Sequence, residues 1–230
     1  MAISETKERE DGKTSMQNID GYEMKPLMRK GTDKGGGGLC LYYRNTLNAH
    51  LWIPNTSSSY LYVSKERLWL LIEGNSEKLA FLHVYIACQT SRSDDYLQWN
   101  NDLFALITEE TLLLKAQGFS ILALGDFNTR IGRVKGMEEN LPDVNNNYPM
   151  FLNFIESTNL VIINSLPVCK GLFTRFMDGS ERPGTKSVLD YCLRDADSVS
   201  TVSSFIIDSN AQFKCGSDHA LLEATINFAS

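Results

Sequence analysis

Apolar residues in this chain recur mainly with a period of two or in short unbroken runs, the signature of strands rather than helices. Leu39–Tyr43, Leu68–Ile72, Ala80–Ile86, Ser120–Leu124, Leu160–Asn164, Ser187–Leu193, Thr201–Ile207 and Leu221–Phe228 read as strands, with a shorter one near Tyr22–Leu27. Two stretches carry a helical period instead. Between Ser93 and Gly118 the pattern predicts a helix, with Ser93 as N-cap, Asp94 and Asp95 in the first turn and Gly118 as the stop. Leu97, Phe104, Ile107 and Leu114 would form its apolar stripe. A shorter helix is predicted over Tyr148–Ser157. The rest of 6–36 is polar and rich in Gly and Lys, and reads as loop. Strands dominate and helices are inserted between them, which favours two packed sheets with helices outside over an alternating parallel sheet. The 230 residues suit one domain, 1–230.

Composition narrows this little. A 43% hydrophobic and 22% charged content is ordinary for a globular chain. The net charge of −6 argues against a basic surface that coats nucleic acid. It does not exclude a nuclease, because a bound divalent cation neutralises phosphate locally. Cys40, Cys88, Cys169, Cys192 and Cys215 are odd in number, form no CxxC pair and lie mostly in apolar runs. They read as reduced core thiols of an intracellular protein, nuclear or cytoplasmic. No signal-peptide pattern and no apolar run of about 20 residues is present, so no membrane partner is expected.

Chemistry concentrates in two clusters. Asp126 and Asn128 stand two apart at the end of an apolar run, a spacing that would aim both toward one face as a strand leaves the core. Gly216-Ser217-Asp218-His219 precedes another apolar stretch. Either alone reads as a turn. Together, carboxylate, carboxamide and imidazole at strand ends point to metal-assisted hydrolysis. Asp190 adds to the set, because an acid within Val188-Leu189-Asp190-Tyr191-Cys192-Leu193 is costly to bury unpaired.

The order of these motifs resembles the endonuclease/exonuclease/phosphatase superfamily. Ile3-Ser4-Glu5-Thr6-Lys7, Gly36-Gly37-Gly38-Leu39, His83-Val84-Tyr85, Gly125-Asp126-Phe127-Asn128, Ser187-Val188-Leu189-Asp190-Tyr191 and Gly216-Ser217-Asp218-His219 follow its sequence of motifs. Phe127, Phe173-Thr174 and the run Thr185–Tyr191 look most like endonuclease domains of non-LTR retrotransposons. The resemblance implies an α+β, four-layer α/β/β/α sandwich and Mg²⁺-dependent phosphodiester hydrolysis acting on DNA, with Mn²⁺ as a substitute and no organic cofactor. It makes His219 the general base or phosphate stabiliser and Asp190 its partner. Asp126 would orient the attacking water, and Asn128 would bind a phosphate oxygen. Tyr85 and Thr174 would contact phosphate, Asn147 and Ser217 would bind substrate, and Glu5 and Asp218 would hold or support the metal. The family pattern opens with a further strand and helix ahead of the glutamate, whereas Met1 stands four residues before Glu5. The resemblance therefore implies an N-terminally truncated sandwich, with an exposed sheet position open to self-association. Two alternatives remain at this point: a phosphatase acting on a phosphorylated small molecule or lipid headgroup, and an inactive sandwich. The sequence offers no basic cluster near the motifs to grip several phosphates.

Overall fold

The computed structural model describes residues 1–6, 16–27, 38–53, 66–88, 96–132, 144–176, 186–210 and 217–228. Its spine is a six-stranded sheet in the order β4-β5-β6-β7-β12-β8. These strands are β4 (Ala49–Trp52), β5 (Arg67–Glu73), β6 (Lys78–Tyr85), β7 (Ser120–Asp126), β8 (Leu160–Ile162) and β12 (Asp190–Asp195). Only β6 and β7 run parallel, and the helix α1 (Tyr96–Ala116) makes the crossover that a parallel pair requires.

Alternation along the strands sorts side chains between two cores. Ala80, Leu82, Val84, Ile121 and Ala123 pack under α1 and α2 (Tyr148–Thr158), together with Leu103, Phe104, Ile107, Phe151 and Phe154. The neighbouring positions point the other way, onto two separate three-stranded sheets. One is β1-β3-β2, formed by β1 (Ala2–Ser4), β2 (Tyr22–Leu27) and β3 (Leu39–Arg44). Its Leu39, Leu41 and Tyr43 pack on Leu68, Leu70 and Tyr85. The other is β14-β13-β9, formed by β9 (Cys169–Lys170), β13 (Val202–Ile207) and β14 (Leu222–Ile226). Its Val202, Phe205 and Ile207 pack on Leu79, Leu122 and Cys192. A two-stranded ladder of β10 (Arg175–Phe176) and β11 (Lys186–Ser187) completes the set. The result is the expected α+β sandwich; among the described residues, both α-helices pack on the same face of the central sheet.

Several local readings need correction. Leu97 is 38% exposed; the buried stripe of α1 runs through Tyr96, Asn100, Leu103, Phe104, Ile107 and Leu114, because Tyr96 takes the inward position. The run at 187–193 divides, since Val188 and Leu189 cross from the β10 ladder to the pairing with β7. The strand at 160 ends at Ile162 and tightens into a 3₁₀ turn at Ile163–Ser165. Ser93, Asp94, Asp95, Gly36, Gly37, Thr185, Cys215 and Gly216 lie outside the described residues.

Helix α1 is pinned to the sheet by a buried charge pair. Arg67 on β5 donates to both carboxylate oxygens of Glu110, and Trp69 Nε1 donates to the same group at 2.9 Å.

Candidate active site

The site is built on strand ends. In the ladders around β7, Asp126 stands opposite Tyr85 on one side and opposite Asp190 on the other. Gly125 permits the tight β6–β7 approach, for a Cβ there would meet the Val84 carbonyl oxygen at 2.1 Å. The strand stops at Asp126, and the chain turns through Asn128 in the left-handed region (φ 43°), which Asn tolerates better than most residues. This turn, rather than a continued strand, joins the two predicted groups. Asn128 donates its backbone N–H to Asp126 Oδ1 at 2.8 Å and its amide to Asp126 Oδ2 at 2.9 Å. The second amide hydrogen goes to the Ile86 carbonyl at 2.8 Å.

His219 arrives from the far end of the chain through an isolated bridge with Arg175. Its Nδ1 lies 2.9 and 3.1 Å from the Asp190 carboxylate oxygens, and its Nε2 lies 4.0 Å from Asp126 Oδ2. Ser217 Oγ accepts from the His219 N–H at 3.0 Å, so Ser217 shapes the loop that presents the ring. Thr174 is fully buried; its Oγ1 accepts the N–H groups of Leu189 (2.9 Å) and Asp190 (3.1 Å), and its carbonyl accepts from Ala220 N at 2.7 Å. It therefore ties the Asp190 backbone to the His219 loop. Asp218, expected to support the metal or His219, accepts from Arg175 Nε at 2.9 Å.

Glu5, also at positive φ (53°), follows β1 and accepts from the buried Tyr85 hydroxyl at 2.6 Å. Glu5, Asp126, Asp190, Ser217, Asp218 and His219 line one cleft of about 270 Å³. Asn128 and Asn147 border a neighbouring pocket of about 430 Å³ instead. Asn147 donates to the Asn128 carbonyl at 2.9 Å and accepts from Asn100 at 2.9 Å. Asn100 had a sequence signal that was overlooked: an amide on the apolar face of a helix needs partners, and here it holds both the N–H and the carbonyl of Ala87. Arg130 and Arg175 line the same pocket, so the fold assembles the basic pair that the linear sequence scatters.

Burial and the adjacent Asp190 charge push the Asp126 carboxyl well above the usual carboxylate range. Burial alone would lower the His219 pKa. The hydrogen bond to Asp190 and the surrounding acids outweigh it and raise the ring to about 9. Burial would raise Asp218, but the Arg175 guanidinium holds it below the usual range. Ligand atoms of Asp126, Asp190 and His219 lie within 4.8 Å of one another. Two buried carboxylates this close repel each other, which His219 offsets only in part, and oxygen donors of this kind fit a hard divalent cation. Of the predicted metal residues, Glu5 and Asp218 both line the cleft, and Asp218 also pairs with Arg175.

No protein-family model and no curated protein matches the sequence. Solved structures do match. An AP endonuclease from Leishmania major aligns with a TM-score of 0.73 at 17% identity, over 99% of this chain and 78% of that one. The 3′ phosphatase NExo from Neisseria, bound to a product DNA hairpin, aligns at 0.69 and 14% identity, over 99% and 88%. The chain shares the α+β sandwich fold of these two structures. The endonuclease domain of TRAS1, a telomere-specific non-LTR retrotransposon, aligns at 0.59 and 12% identity, over 92% and 83%. The likeness is thus one of fold, with no preference for the retrotransposon structure. No helix among the described residues is long and apolar enough to cross a membrane.

Proposed function

We propose that this chain is a divalent-cation-dependent phosphodiesterase that nicks DNA, of the retrotransposon endonuclease type, leaving a 3′-hydroxyl. The observation that carries the reading is the convergence of Asp190, His219 and Asp126, drawn from positions far apart in sequence, in one cleft. Asp126, Asp190 and Glu5 would hold Mg²⁺ or Mn²⁺, whose contribution when bound is to neutralise phosphate charge and activate oxygen ligands. Asp190 fixes the tautomer and orientation of the imidazole, leaving Nε2 to face the substrate. The 4.0 Å between Nε2 and Asp126 Oδ2 accommodates one bridging water. Asn128 keeps the Asp126 carboxylate oriented.

The test is nicking of supercoiled plasmid with Mg²⁺. Replacing His219 by Ala should slow nicking about 10²–10⁴-fold, the range for a positioned acid–base group; undiminished nicking by H219A overturns the assignment. A second reading, a phosphatase acting on a phosphorylated small molecule, is favoured by Arg130 and Arg175 at the neighbouring pocket. Phosphate release from inositol phosphates, without plasmid nicking, would establish it.

A further inference from the structure

The cleft and the neighbouring pocket adjoin at two pairs of neighbours. Asp126 and His219 line the cleft, whereas Asn128 and Arg175 line the pocket. Asn128 is bonded to Asp126, and Arg175 is bridged to His219, so each pair straddles the boundary.

The bridge sets the direction of the Arg175 side chain. Phe176 N donates to the Asp218 carbonyl and Ala220 N to the Thr174 carbonyl, both at 2.7 Å. These bonds flank Arg175 and His219 instead of joining them, which makes the two a non-hydrogen-bonded antiparallel pair. Side chains of such a pair leave the same face with Cβ atoms about 4.5–5.5 Å apart. The guanidinium therefore stands beside the imidazole. Burial would lower its pKa, but the bond to Asp218 and the charges of Asp218 and Asp126 raise it, so it lies within the field of the Asp126 carboxylate.

Asp218 controls which part of the guanidinium is presented. It accepts from Nε at 2.9 Å. A bond at Nε fixes the plane of the group and leaves the planar Nη fork to reach a further acceptor, such as a phosphate oxygen. The two side chains are 37% and 44% exposed, and an ion pair so open to water adds little to stability. What the pair supplies is aim.

We propose that Arg175 is a catalytic residue whose Nη fork binds a non-bridging oxygen of the scissile phosphate from the pocket side, next to the imidazole of His219. This rests on the phosphodiesterase function proposed above. As water oxygen bonds to phosphorus and the bond to the 3′-oxygen breaks, negative charge shifts onto the oxygens around phosphorus. A guanidinium, charged at every working pH and already oriented, stabilises that charge without having to reorganise. Asp218 is then the positioning residue for Arg175. Arg130 lines the same pocket from another segment, its backbone N–H donating to Asn145, and provides an internal comparison.

The test is plasmid nicking by the whole chain with Mg²⁺, resolved into kcat and KM. Arg175→Ala should lower kcat about 10²–10³-fold, the loss expected for one charge-stabilising donor, with a smaller change in KM. Arg175→Lys keeps the charge without the fork and should recover only part of the rate. Arg130→Ala should act mainly on KM. Millimolar guanidinium chloride should restore part of the Arg175→Ala rate and leave the parent unchanged, a rescue that a merely structural side chain would not give. An unchanged kcat in Arg175→Ala, a loss confined to KM, or a loss that guanidinium does not rescue overturns the proposal. Phenylglyoxal labelling separates this inference from the function it rests on. With Mg²⁺ present, orthophosphate should shield Arg175 from the reagent more than Arg130 in peptide maps, and equal labelling of the two overturns the proposal. A parent chain that does not nick, yet shows this shielding, overturns the phosphodiesterase function and keeps Arg175 as a phosphate contact.

Discussion

Asp126 and Asp190 face each other directly across the β7–β12 ladder, two buried carboxylates in register at the mouth of the cleft. Like charges placed opposite in a sheet repel, and burial strengthens the repulsion. A divalent cation relieves it. At Mg²⁺ concentrations near a hundred times the dissociation constant, linkage predicts about 2.7 kcal/mol of stabilisation, or a melting temperature higher by about 5–10 °C. Thermal denaturation with and without EDTA measures this, and Asp126→Asn should lose the response.

His219 gives the metal-free protein a signature in pH. Its folded pKa of about 9 lies above the ordinary value, because the Asp190 hydrogen bond overcomes burial. A raised pKa means the stabilisation is complete below the unfolded value of about 6.5 and is lost as pH rises through the folded one. Chemical denaturation in EDTA should show stability falling between those two values, with a slope of at most about 1.4 kcal/mol per pH unit from this group. His219→Gln should flatten that part of the profile.

Thr174 acts through Asp190 rather than on substrate. Thr174→Val removes the acceptor for two buried N–H groups and should cost about 1–3 kcal/mol of stability. It should also slow turnover more than it weakens substrate binding, because the ring orientation set by Asp190 is lost. Thr174→Ser keeps the oxygen and should restore both. Equal losses in the Ser and Val variants would show that the methyl contact, not the hydroxyl, matters.

The Arg67–Glu110 pair has a different logic. Glu110→Leu takes two charge-assisted hydrogen bonds from a buried guanidinium and should cost about 3–5 kcal/mol. Adding Arg67→Met should recover part of the loss, while Trp69 Nε1, which also donates to Glu110, keeps the recovery incomplete. Urea denaturation of the two single variants and the double variant tests the coupling.

Much of this architecture could be read from residue order. Short unbroken apolar runs located β3, β5, β6 and β7, because residues on both faces of these strands are covered, and a mixed apolar and polar run located β13. The motif order located Asp126, Asp190 and His219, the trio the fold brings together. What escaped was short or paired at long range. β4, β9 and β10 are two to four residues long and carry too few positions to show a period. Arg67 and Glu110 are 43 residues apart and look like surface charges until the helix docks. Arg175 sits 43 residues from Asp218, and only the bridge to His219 makes them neighbours. The two-residue spacing places Asn128 on the same face as Asp126 where the strand leaves the core, whereas it lies in a left-handed turn with its side chain folded back on Asp126.

A relay runs from the start of α1 to the Asp126 carboxylate: Asn100 donates to the Asn147 carboxamide, Asn147 donates to the Asn128 main-chain carbonyl, and the Asn128 side chain donates to Asp126. Each link is a hydrogen bond shielded from water, so slack anywhere along it is transmitted rather than absorbed by solvent. Damage to the distant helices would then surface first as failed chemistry, well before the protein lost its shape.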